Sequence, residues 1–140
     1  MINNNTIKYW FRNQLNDAGF DTSSDFAFQN RNFDSSNMDL FYQERFVVAD
    51  EGPDGNKANI KSGIMWYDVI VDRASGTDTM DNSAAALASV FEPEDNKEVE
   101  IEPGLRINID AATTGSPEDF EESRYMEPVR IEFRAYEITA

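Results

Sequence analysis

The residues best supplied to do chemistry in this chain are its carboxylates. Twenty-seven Asp and Glu stand against 12 Lys and Arg in 140 residues, a formal net charge of -15 at pH 7. Glycosidases work with two carboxyl groups, roughly 5 to 9 Å apart around a sugar-binding cleft. With so many acids, close pairs arise by chance, and no spacing marks one pair as special, so solvated surface acids are the default reading. Metal binding is the second use of acids. Asp50-Glu-Gly-Pro-Asp-Gly55 superficially suits a calcium loop, but with Gly55 as its turn glycine, Gly52 falls at position 3 and Lys61 at position 12. Position 12 requires a bidentate Glu, so the EF-hand reading fails. Looser calcium binding by the acidic stretches 94–102 and 117–122 stays open. Gly52 to Lys57 also lacks the Gly-Lys-Ser/Thr ending of a phosphate loop, and Asp50, Glu51 and Asp54 would repel a phosphate.

The absent residue types narrow the field further. There is no Cys, hence no disulfide framework, thiolate nucleophile or zinc-thiolate site. There is no His, hence no imidazole base, Ser-His-Asp triad or facial-triad iron site. The negative charge disfavours broad basic patches for nucleic acid or anionic lipid. The aromatics Trp10, Trp66, Tyr67 and Phe133 fall at core-compatible positions, where packing is the default and an interface role the alternative for any that are exposed. No enzymatic constellation emerges, and no catalytic residue, metal or cofactor is assigned.

The elements that would position these residues are legible from periodicity. Hydrophobic residues make up 40% of the chain, with ten Phe, so a packed core is expected despite the charge. Thr6 to Ala18 places Ile7, Phe11, Leu15 and Ala18 on one helical face. Asn4 or Asn5 can cap it, and Gly19 followed by Phe20 suits a Schellman ending packed on Leu15. Asp25 to Asn30 reads as a short strand with Phe26 and Phe28 on one face.

Met38 to Val48 reads as a strand apolar on both faces, with Glu44 the exception on the face of Leu40, Tyr42, Phe46 and Val48. Ser62 to Asp72 follows beyond a polar break over Asp50 to Lys61, giving an antiparallel hairpin with a long connecting loop. A helix capped by Asp78 is expected over Thr77 to Phe91, with Met80, Ala84, Leu87, Ala88 and Phe91 as its stripe. The acidic stretch 94–102 precedes a strand bearing Leu105, Ile107 and Ile109, and a second polar break covers Thr113 to Arg124. The last strand, Glu127 to Ile138, alternates Val129, Ile131, Phe133 and Ala135 against Arg130, Glu132, Arg134 and Tyr136. This order predicts one α+β domain over 1–140: a mainly antiparallel sheet with a long β-hairpin and two helices packed on one face. Met1 to Asn5 lacks the order of a signal peptide, and no apolar run reaches the roughly 20 residues of a membrane span, so no membrane association is expected.

The same segments carry a resemblance. The N-terminal helix from Ile7 to Ala18, an aromatic strand, the long pair ending in Gly63-Ile-Met-Trp-Tyr-Asp-Val-Ile-Val71, the Ala-rich helix closing on Leu87-Ala-Ser-Val-Phe91 and the strand Tyr125-Met-Glu-Pro-Val-Arg-Ile-Glu-Phe-Arg134 together resemble the tail terminator (tail completion) proteins of long-tailed bacteriophages. The likeness spans nearly the whole chain and rests on size, order and hydrophobic punctuation. It implies a structural virion protein without catalytic residues. That protein forms a hexameric ring at the head-proximal end of the tail, caps the tail tube protein, stops its polymerisation and meets the neck or connector. Assembly would occur in the host cytoplasm, and DNA would pass through the lumen without specific binding, which an acidic lumen favours. The acidic insertions at 94–102 and 113–124 are heavier than the resemblance leads one to expect.

Interface residues expected on this reading are Gly52, Asp54, Asn56 and Lys57 in the long loop, with Arg130 and Arg134 on the exposed face of the last strand. The alternatives are another head–tail neck or head-closure adaptor, and an acidic calcium-dependent binding module.

Overall fold

Helix α1, Asn4–Asp17, buries Ile7, Trp10, Phe11 and Leu15, spaced to share one face. The structure, a computed structural model, describes residues 2–29, 32–53 and 59–138. The cap of α1 is Asn3, whose Oδ1 accepts the Asn5 N–H at 2.7 Å; Asn4 and Asn5, expected as caps, lie in the first turn instead. At its far end the Phe20 N–H donates to the Leu15 carbonyl at 2.9 Å and the Gly19 N–H to the Asn16 carbonyl at 3.1 Å. Gly19 has a φ of 99°, so the expected Schellman ending is present.

The strands are β1 Phe26–Ala27, β2 Leu40–Pro53, β3 Asn59–Asp72, β4 Val99–Glu102, β5 Leu105–Thr114, β6 Glu118–Glu121 and β7 Arg124–Glu137. They form one sheet in the order β1-β2-β3-β7-β5-β4, with β6 following β5 along the same side of β7. Every pairing is antiparallel except that of β1 with β2.

The polar break expected over Asp50 to Lys61 is largely strand. Pairing continues through Asp50–Ser62, Glu51–Lys61, Gly52–Ile60 and Pro53–Asn59. Polar side chains mislead here because their partners are distant in sequence. Lys61 is buried, and its Nζ donates to the Ile2 carbonyl at 2.7 Å and to Asn4 Oδ1 at 2.6 Å, with Glu51 Oε2 at 3.4 Å. The break expected over Thr113 to Arg124 likewise contains β6, and the acids of 94–102 lie partly on β4. Much of the charge in these polar breaks and the acidic stretch therefore rides on strands at the border of the sheet.

Helix α2, Thr77–Val90, starts at Gly76 without a side-chain cap; Asp78, expected as its cap, sits in the first turn. It buries Met80, Ala84, Leu87 and Ala88. Both helices pack on one face of the sheet. There they meet Met65, Tyr67, Val69 and Val71 of β3, Ile107 and Ile109 of β5, and Val129, Ile131 and Phe133 of β7 in one core. This is the expected α+β architecture. Gly63 is dictated by close approach within it: a Cβ there would lie 2.3 Å from the Val47 carbonyl oxygen and 3.0 Å from the Phe133 ring.

Among the described residues the opposite, outer face bears no helix. Segment 32–36 crosses one end of it, with the Phe33 ring 5.5 Å from Phe41 and Arg124 bonded to the Ser35 hydroxyl and carbonyl. No described helix is long and apolar enough to cross a membrane.

Candidate functional site

Adjacent residues of a strand point to opposite faces, so Trp66 and Tyr67 part company on β3. Tyr67 is fully buried under the helices, while Trp66 is half-buried on the outer face, not in the core. On that face Trp66 is the centre of a cross-strand row, with Arg45 of β2 opposite it on one side and Arg130 of β7 on the other. The Arg45 guanidinium lies 4.9 Å from the ring centroid and that of Arg130 5.8 Å, so two cations share one indole.

The two arginines are held differently. Arg45 forms a fork on Asp68, with Nε to Oδ2 at 2.7 Å and Nη2 to Oδ1 at 2.8 Å, and Gln43 adds a third donor at 3.3 Å. The Asp68 side chain is 1% exposed, so Arg45 neutralises a buried charge, and that hydrogen bond holds its guanidinium above its usual pKa. Among the described residues Arg130 forms an ion pair with the partly exposed Glu132 alone, at 2.7 Å. Four residues beyond Arg130, Arg134 forks onto Asp110 at 2.8 and 2.9 Å. Trp and Arg concentrated on a face of partly exposed side chains are the residue types of interface hot spots. The arrangement suits stacking and carboxylate recognition.

Of the residues expected at an interface, Arg130 and Arg134 lie on this outer face as the alternation predicted. Gly52 lies near the end of β2, level with Ile60 and Tyr136, about 20 Å along the sheet from Arg130. The structure does not bring them together. Asp54, Asn56 and Lys57 fall outside the described residues. Arg45 completes the row unforeseen; its signal is the alternation of Gln43, Arg45 and Val47 on the less apolar face of β2.

On the helix side, Glu44 and Arg12 form a second charged cluster. Arg12 donates to Glu44 from Nε at 3.2 Å and Nη2 at 2.7 Å, and the Tyr67 hydroxyl donates to Glu44 at 3.0 Å. The Arg12 guanidinium also stacks 3.9 Å from the Phe28 ring centre. Burial, reinforced by the Glu44 charge, pushes the Tyr67 phenol well above its ordinary pKa. This cluster is saturated with internal partners and ties α1 to the sheet. Two clefts gather two acids each, Glu102 and Glu137 beside Leu105 and Ile138 in about 360 Å³, and Glu98 and Asp110 beside Lys97 and Arg134 in about 350 Å³; neither is lined by an aromatic platform for a sugar. Among the described residues no three Asp or Glu side chains converge to hold a metal ion.

The class this fold defines is an α+β domain with one helix-covered and one open sheet face. Among solved structures, one chain superposes with a TM-score of 0.70 over 100% of this chain and 98% of its own length, at 17% identity. That likeness concerns the fold alone. No protein-family model matches the sequence, and no curated protein matches it.

Proposed function

We propose that this chain is a structural virion protein, a phage tail terminator. Its subunits assemble into a hexameric ring that caps the tail tube, stops its polymerisation and joins it to the neck. The observation that carries the reading is the outer face, where Trp66 stands between Arg45 and Arg130 with no described helix to cover it. An interface of this kind recognises a protein surface rather than a small molecule. The tail-terminator resemblance of the segment order supplies the partner: the tube subunit on one side of the ring, the neck on the other. Capping follows when one side imitates the next tube layer and the far side cannot accept another tube subunit. A neck or head-closure adaptor is the second reading, and the same outer face serves it.

Negative-stain electron microscopy of the purified protein and of the phage tests the proposal. A six-fold ring at the head-proximal end of the tail is the expected result. A ring elsewhere in the neck selects the adaptor, and the absence of the protein from the virion overturns both.

A further inference from the structure

The sheet has two edges that lack a strand neighbour over part of their length among the described residues, and they match. On one side, β1 flanks β2 only at Tyr42 and Gln43, so among the described residues β2 has no strand neighbour there from Glu44 onward. Phe28 and Gln29 lie against Glu44 and Arg45 there, and the Phe46 N–H donates to the Gln29 side chain at 3.2 Å, a contact that an incoming strand replaces with its own carbonyl. Val47 and Val48, 47% and 36% exposed, lie together on this edge. On the other side, β4 covers β5 only over Leu105 to Ile107, and β6 lies beyond the end of β5, leaving Ala111 to Thr114 without a strand neighbour.

These two gaps are ends of the same cross-strand rows. Val47-Ile64-Glu132-Ala111, Phe46-Met65-Ile131-Ala112, Arg45-Trp66-Arg130-Thr113 and Glu44-Tyr67-Val129-Thr114 each run the full width from β2 to β5. A β-bulge closes each gap at the same end, between Val48 and Asp50 on β2 and between Ile109 and Ala111 on β5. Since strands alternate in direction across β2, β3, β7 and β5, a second copy set beside the first in the same orientation brings β5 antiparallel to β2. A bulge bends its strand, which steers the acidic end of β2 away from the β4 side of the neighbour.

Charge selects this stretch over the others. The remaining border carries Glu100 and Glu102 on β4, and Glu118, Asp119 and Glu121 on β6, which guard those edges against pairing. Ala111 to Thr114 is uncharged, and in the facing stretch Glu44 and Arg45 are already neutralised within their own subunit.

We infer that copies of this chain join head to tail by antiparallel pairing of β2 residues 44–48 with β5 residues 111–114 of the next copy. Unlike edges that meet in this way form a heterologous contact, which closes into a ring or runs on as a filament. The inference deepens the ring reading by naming its contact, but it stands or falls separately.

The absence of cysteine from the sequence makes the test clean. Val47 and Ala111 of one chain are three strand spacings apart, about 14 Å, so a short bis-maleimide links them between copies and not within one. At high protein concentration the V47C/A111C double variant is expected to give a ladder of covalent oligomers, while either single variant gives dimers at most. A double variant that cross-links no further than the single ones overturns the pairing. Six-fold rings in the microscope without cross-linking overturn the pairing and leave the ring reading intact. A ladder from unlimited filaments upholds the pairing and overturns the ring.

Discussion

Arg12 and Glu44, 32 residues apart, are joined by two hydrogen bonds beneath α1, with the Glu44 side chain 2% exposed. A buried carboxylate is tolerated only when its partners are complete, and here Arg12 and Tyr67 supply them. Removing Arg12 leaves the charge without its counter-ion. Arg12→Ala is therefore expected to destabilise the fold by about 3–5 kcal/mol, read by urea denaturation, whereas an Arg12→Met/Glu44→Leu double variant costs less than that single change. A double variant at least as unstable as Arg12→Ala would show that the pair does more than satisfy its own burial.

Glu44 also marks how far the sequence could be read. It stood out as the polar residue on an apolar strand face, yet its partner lies on another element, and alternation along one strand carries no information about that. The same limit explains the hairpin. Asp50, Glu51 and Lys61 look like loop residues, but Lys61 is buried against the Ile2 carbonyl and the strands run on around it. Local signals were readable where the structure is local: Gly19 and Phe20 end α1 as expected, and the alternation from Val129 to Ala135 divides core from outer face. The Arg45-Trp66-Arg130 row depends on register across three strands. The alternation of β7 places Arg130 on that face, but nothing in one sequence aligns it with Trp66.

Glu127 of β7 is 3% exposed, and its carboxyl is pushed up to about 7, first by burial and then by its hydrogen bond and charge repulsion with Asp81 of α2. An acid with a raised folded pKa holds a proton that the unfolded chain has already released. Stability from this group is therefore full below its ordinary value of 4.5 and is lost as pH rises through about 7. Glu127→Gln keeps the hydrogen-bonding shape without the charge. It is expected to gain about 2 kcal/mol over the unmodified protein at pH 8 and little at pH 5, by urea denaturation at both. An equal difference at the two pH values would refute the assignment.

Gly63 faces the Val47 carbonyl across the hairpin, and backbone cannot step aside as a flexible side chain would. Gly63→Ala is expected to cost about 1–3 kcal/mol, with the strain showing as faster amide exchange in β2 beside it. A variant as stable as the parent would mean that the two strands separate freely at this point, against the register that runs on to Pro53.

The two arginines flanking Trp66 separate folding from recognition. Arg45 compensates Asp68, whose side chain is 1% exposed, so Arg45→Gln leaves a buried carboxylate short of a cation and is expected to cost about 2–4 kcal/mol. Among the described residues Arg130 pairs with the partly exposed Glu132 alone, and Arg130→Gln is expected to cost less than about 1 kcal/mol. If the outer face meets the tube or the neck, the order reverses in assembly. Arg130→Gln then yields a folded protein, unchanged by circular dichroism and still self-associating through its strand edges, that fails to set tail length when supplied to the phage in place of the natural chain. Tails of normal length from that variant, with Trp66→Ala equally silent, would remove the outer face from the capping reading.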